Sequence, residues 1–191
     1  MENIHRRLKE MTNVIYDKDF GQKNPELELY EVYREIKTDK DLRWDITRIP
    51  PQMLGKEFVK TKGNRNNHGF QELYTVLKGE AIFLMQKAKN GLIEDVFAIK
   101  ATPTNWIIVP PNYEIITINP SNKKTLETGN WVSNKTKNIY EDIEKFKGAC
   151  YFYTVDGWLK NKNYQKITKL RFEEPLKSEP KNLDFLRTEI K

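Results

Sequence analysis

The chain has 191 residues, enough for one domain with a sizeable core. Its hydrophobic fraction of 38% and charged fraction of 31% suit a globular protein, and no apolar run approaches a membrane-spanning length. The net charge of +6 comes from 33 basic and 27 acidic residues that interleave, so nucleic-acid binding is not expected; a basic surface that tolerates small anions is.

The opening M-E-N-I-H-R-R-L-K-E is charged and amphipathic and lacks the apolar segment of a signal peptide, which makes the cytoplasm the expected compartment. Ile4, Leu8 and Met11 fall at helical spacing and predict a short N-terminal helix over 3–11. Residues 17–26 read as loop. Short strands follow at Leu27–Ile36, Arg43–Ile49, Phe58–Thr61, Glu72–Leu77, Ala81–Gln86, Asp95–Ile99, Trp106–Val109, Glu114–Ile118, Asn130–Ser133 and Ala149–Val155. They are rich in Val, Ile, Tyr, Phe and Trp and are separated by Gly, Pro, Asn and Ser. Asn90-Gly91 is a hairpin turn, and Pro110-Pro111 ends a strand at a rim. Tyr140, Ile143 and Phe146 predict one or two helical turns. From about Gln165 the chain is charged and carries Pro175 and Pro180, so it lies along the surface or is partly disordered. Cys150, the single cysteine, sits in an apolar run and reads as a buried, inert thiol. Trp106, Trp131 and Trp158 read as core or interface residues, and Trp44 as a candidate for the barrel lining.

The run from Thr61 to Gly79, T-K-G-N-R-N-N-H-G-F-Q-E-L-Y-T-V-L-K-G, resembles the first motif of a cupin barrel. Further segments occur in order: Arg6-Arg7-Leu8, Tyr30-Glu31-Val32-Tyr33, Gly55-Lys56-Glu57-Phe58, Val109-Pro110-Pro111, Thr117-Ile118-Asn119, and Tyr140 with Ile143. Together they resemble the cupin-type glucose-6-phosphate isomerases over roughly residues 5–158. The resemblance implies an all-β fold: a cupin barrel (double-stranded β-helix, jelly-roll) over 27–160, with an N-terminal helix and arm over 1–26 and a C-terminal extension over 161–191. It also implies a homodimer and interconversion of glucose 6-phosphate and fructose 6-phosphate. The family normally holds a divalent metal (Fe, Mn, Ni or Zn) with two histidines and a glutamate of the first motif and a histidine of the second. In this sequence the glutamate is Glu72, whereas the histidine places fall on Asn64, Asn66 and Ile115, and a further family histidine falls on Asn138. The loop between Asn66 and Glu72 is one residue shorter than the family pattern. By the same resemblance Thr47, Thr61, Gly63, Tyr74 and Tyr140 are substrate contacts.

The substitutions carry physical consequences. Imidazole offers a nitrogen lone pair near neutral pH; an amide carbonyl is a weak ligand and isoleucine is none. No cofactor is therefore expected. His5 reads as a surface or packing residue, and His68 lies in the shortened loop, where it offers at most one ligand. Glu114 points away from the mouth if Ile115 points into it. Glu72 reads either as the catalytic base of an aldose–ketose isomerisation or as a remnant acid hydrogen-bonded to the two asparagines. Arg48 and Lys62 are candidate charges for a phosphate. Three functions stay open: an isomerase whose activity the lost ligands put in doubt, a non-catalytic barrel that binds a sugar phosphate or another small anion, or a structural or regulatory dimer with no pocket function.

Overall fold

The computed structural model describes residues 2–190. In chain order the strands are β1 (Glu2–Arg7), β2 (Glu28–Asp39), β3 (Leu42–Ile49), β4 (Met53–Leu54), β5 (Glu57–Phe58), β6 (Arg65–Asn66), β7 (Glu72–Lys78) and β8 (Ala81–Lys89). They continue as β9 (Leu92–Ala101), β10 (Trp106–Val109), β11 (Glu114–Ile118), β12 (Leu126–Ser133), β13 (Asn138–Ile139), β14 (Tyr151–Thr154), β15 (Gly157–Lys160) and β16 (Arg171–Glu173). Two short helices, α1 (Lys18–Lys23) and α2 (Glu141–Lys145), interrupt them, along with single 3-10 turns.

Two sheets face each other as a jelly-roll barrel. One has the order β1-β2-β3-β12-β7-β10 and the other β11-β8-β9-β16. Bridges from Lys60 to Ile118 and from Asn64 to Ile115 extend the second sheet toward the first motif. The sequence makes the second sheet the buried one: β8 reads A-I-F-L-M, and these five side chains are covered on both faces. Ile82, Phe83, Leu84, Met85, Ile115 and Ile116 belong to the main core. β7 and β3 alternate instead, so each gives one set of side chains to the barrel interior and the other to its outer face.

Residues 3–11 are not the predicted helix. Glu2–Arg7 pairs antiparallel with β2, with Ile4 opposite Val32 and Arg6 opposite Tyr30. The 3-10 turn Leu8–Glu10 follows. Ile4 and Arg6 share an inward face by the period of two, and Leu8 is buried at the turn beyond; the spacing that suggested a helix fits a strand that ends in a turn. The short N-terminal helix is α1, inside the stretch read as loop, with the Asp17 carboxylate accepting from the Phe20 N–H at 2.9 Å as its N-cap. The arm is fixed by a buried ion pair: Lys60 Nζ lies 2.6 Å from the Glu57 carboxylate. Lys60 also donates to the Val14 carbonyl at 3.0 Å, and Glu57 accepts from the Tyr16 N–H at 2.7 Å.

The C-terminal extension is built into the fold. Arg171–Glu173 joins the second sheet, parallel to β9. Beyond it, a 3-10 turn at Asp184–Arg187 lays Leu186 over the outer face of the first sheet, against Leu42, Trp44, Leu73 and Trp131. Arg187 pins this strap to Asp41 at 2.7 Å and Asp39 at 2.8 Å. Trp44 therefore stands outside the barrel, not along its lining, and Lys37 Nζ lies 4.6 Å from its ring. No helix among the described residues is long and apolar enough to cross a membrane.

Candidate functional site

The mouth of the barrel is a polar cavity where Thr47, Thr61, Gly63, Asn64, Glu72, Tyr74, Ile115 and Tyr140 converge. Strand parity decides who faces in. On β3, Arg43, Asp45 and Thr47 share the cavity face, which sends Trp44 and Arg48 outward. On β11, Ile115 and Thr117 line the mouth. Glu114 faces the opposite side, as the alternation predicts, where the Gln86 amide donates to it.

Glu72 begins β7 and is 4% exposed. Both of its carboxylate oxygens are occupied: Asn66 Nδ2 donates to Oε1 at 2.9 Å and Asn130 Nδ2 donates to Oε2 at 2.7 Å. Burial raises the Glu72 carboxyl above its ordinary value; the hydrogen bonds of Asn66 and Tyr74 oppose that shift, and neighbouring Asp45 adds to it. Burial and Glu72 together push the Tyr74 phenol well above its usual value. Asn130 faces Asp45 across the β12–β3 ladder and Tyr74 across the β12–β7 ladder.

The three places where family histidines would stand are close in space. Asn64 and Ile115 exchange backbone hydrogen bonds of 3.3 and 2.9 Å. Asn66 reaches Glu72 and pairs with Asn138 between β6 and β13. Gly63 has φ +89°, and a Cβ there would lie 2.8 Å from Ile116, so only glycine lets this turn approach β11. Thr61 Oγ1 accepts from the Thr117 N–H at 3.0 Å and keeps its own proton free to donate. Lys62 lines the cavity, with its ammonium 2.5 Å from Glu144 and 5.0 Å from the Tyr140 ring. His68 is exposed and absent from the lining, and His5 stands on the solvent side of β1 within 3.3 Å of Glu28. Cys150 is buried, and burial raises its thiol far above the ordinary value.

Among the side chains of the mouth, Arg6, Arg34, Arg43, Asp45 and Asn130 were not named as site residues from the sequence. The signal for two of them was present, because Arg43 and Asp45 have the parity of Thr47. Arg43 Nε lies 3.0 Å from Asp45, whose other oxygen accepts from the Glu35 N–H at 2.9 Å and holds a bulge in β2.

A sequence model of glucose-6-phosphate isomerase matches residues 6–169. The chain belongs to the glucose-6-phosphate isomerase family. It is 30% identical over 124 residues to the glucose-6-phosphate isomerase of Pyrococcus horikoshii, covering 62% of this chain and 64% of that one. It is 31% identical to that of Thermococcus litoralis, covering 62% and 63%. The matches thus span just under two thirds of these relatives' own length. A recombinant oxalate oxidase in complex with glycolate aligns with a TM-score of 0.47 and 11% identity, over 61% of this chain and 57% of that one.

The residues of this family member do not fit the metal of the family pattern. The donor set at the mouth would be one carboxylate with both oxygens already bonded to amide N–H groups, two asparagines and an isoleucine. A first-row transition ion takes imidazole, thiolate or free carboxylate. Among the described residues, the grouping of His, Asp or Glu atoms close enough to share an ion is His5, Glu28 and Glu31, on the outer surface.

Proposed function

We propose that this member of the glucose-6-phosphate isomerase family binds a hexose phosphate at the barrel mouth without a transition metal. The observation that carries this reading is the Asn66–Glu72–Asn130 clamp, which takes up the carboxylate that a metal would need. The hydroxyls of Thr47, Thr61, Tyr74 and Tyr140 line the same cavity and are suitable partners for sugar hydroxyls and phosphate oxygens. Gly63 brings backbone close to the site, which suits an anion. Glu72 and Asp45 supply acceptors for ligand hydroxyls, since each carboxylate oxygen has a second lone pair.

A second reading, isomerisation, is favoured by the buried state of Glu72. A carboxyl raised above its ordinary value is a better base. In that reaction Glu72 takes the proton from C2 of the open-chain aldose and returns it to C1, while a proton passes from O2 to O1. No oxidant is consumed. The developing oxyanion would need a donor in place of the metal, and the Asn130 amide is already committed to Glu72.

One pair of measurements separates the readings. Calorimetry with glucose 6-phosphate and fructose 6-phosphate should give saturable binding. A coupled assay, with and without Mn²⁺, Fe²⁺ or Ni²⁺, should give no interconversion above background. Turnover without added metal supports the second reading, and absence of binding removes both.

A further inference from the structure

We propose that Arg6, carried to the mouth by β1, anchors the phosphate of the ligand together with Lys62. This rests on the hexose-phosphate reading and assigns the end of the cavity that holds the charged group.

Arg6 lies on the inward face of β1, opposite Tyr30, and lines the cavity. One guanidinium nitrogen reaches Glu10 at 2.5 Å, on the solvent side. Its Nε is buried and has no hydrogen-bond partner. A buried, unpaired guanidinium N–H is costly unless a ligand completes it. Lys62 joins the same end: its backbone N–H donates to the Tyr30 hydroxyl at 3.3 Å. Tyr30, paired with Arg6 across the β1–β2 ladder, brings its hydroxyl to the Arg6 side chain, and Tyr140 lines the same cavity. The acids that balance these two cations are Glu10 and Glu144, and the Glu144 side chain is 55% exposed. Their charge is therefore screened by water, whereas the cations present N–H groups to the cavity. At the other end the cations Arg34 and Arg43 stand with the acids Asp45 and Glu72: Arg43 lies 3.0 Å from Asp45, and Arg34 lies 3.4 Å from the exposed Glu2. Among the described residues no acid lines the cavity beside Arg6 and Lys62, which suits a phosphate monoester, whereas Asp45 and Glu72 offer acceptors to hydroxyls at the other end.

The test is calorimetric titration of the full chain with glucose 6-phosphate, free glucose and inorganic phosphate. The proteins are wild type, Arg6→Gln, Arg6→Lys and Glu10→Gln, each checked by thermal denaturation. Arg6→Gln should bind glucose 6-phosphate at least about ten-fold more weakly. Arg6→Lys, which keeps the charge and loses the planar fork, should fall between, and it carries the test if Arg6→Gln does not fold. Glu10→Gln, which removes the partner of Arg6 and leaves the guanidinium, should bind as well as wild type or better. Wild-type affinity should rise as pH rises through about 6, where a phosphate monoester gains its second charge, and Arg6→Gln should flatten that rise. Equal affinity of wild type and Arg6→Gln for glucose 6-phosphate overturns the assignment. If wild type binds inorganic phosphate but no hexose phosphate, and Arg6→Gln loses the phosphate, the anchor stands and the hexose reading falls. If wild type binds neither, both fall.

Discussion

Asn130 donates its amide to Glu72 at 2.7 Å from β12, the strand next to the one that carries the glutamate. With Asn66 on the other oxygen, it converts a carboxylate that a metal site would leave open into a fixed acceptor.

Removing Asn130 should therefore be felt in two ways. Asn130→Ala leaves a buried carboxylate oxygen without its donor. We expect a loss of about 1–3 kcal/mol in denaturant unfolding. We also expect weaker hexose-phosphate binding, because Glu72 is no longer held. Unchanged stability would mean that water replaces the amide at no cost.

Metal content is the next expectation. Protein purified without a histidine tag should carry transition metal far below one ion per chain by elemental analysis. The triple substitution Asn64→His, Asn66→His, Ile115→His should raise retained Mn²⁺, Ni²⁺ or Zn²⁺ toward one per chain, since the backbone still brings 64 and 115 together and Asn66 beside Glu72. Stoichiometric metal in the wild type would contradict the clamp.

Glu114, on the far side of β11 from the mouth, sets a pH dependence. Burial raises its carboxyl to about 7; Asp142 adds to the shift, and the Gln86 hydrogen bond and Arg65 oppose it. An acid whose folded value lies above its unfolded one binds more protons when folded. Its contribution is favourable at low pH and is lost as pH rises from about 4.5 to about 7. Glu114→Gln should flatten the stability profile across that window, by about 1–3 kcal/mol between its ends. A wild-type profile that is level from pH 4.5 to 7 would rule this out.

The strap over the first sheet is a load on folding. Leu186 is fully buried among Trp44, Trp131, Leu42 and Leu73. Leu186→Ala should cost about 2–5 kcal/mol by thermal or denaturant unfolding. Gly69→Ala should also destabilise. Its φ is +63°, and a Cβ there would collide with the Ile190 carbonyl oxygen. Arg187→Ala removes three carboxylate partners at once and should make the strap susceptible to limited proteolysis.

Much of the barrel was legible because its strands carry dense β-branched and aromatic runs between turn residues. Trp106–Val109 and Glu114–Ile118 were read with their observed bounds. The failures have specific causes. Ile4, Leu8 and Met11 satisfy a helical period, and only the partner strand, whose paired residues lie 21 to 32 positions later, makes residues 2–7 extended. Arg171–Glu173 is polar and short, with no hydrophobic signal of its own, and owes its strand to pairing with β9. At the mouth, the residues with family counterparts were legible. Asn130 was not, because its position opposite both Asp45 and Tyr74 is a property of the sheet order and not of any local pattern. Arg6 was seen as part of the Arg6-Arg7-Leu8 match but not as a site residue, because its place at the mouth depends on a strand that was read as helix.

The strap also determines what optical probes of this protein will see. Trp44, Trp106 and Trp131, three of the chain's four tryptophans, belong to the cluster that the strap's Leu186 completes. Their emission is a reading of that outer seam. A ligand that settles at the mouth on the opposite side of the sheet will leave the intrinsic signal almost still, whereas release of the seam will shift it while the barrel remains closed.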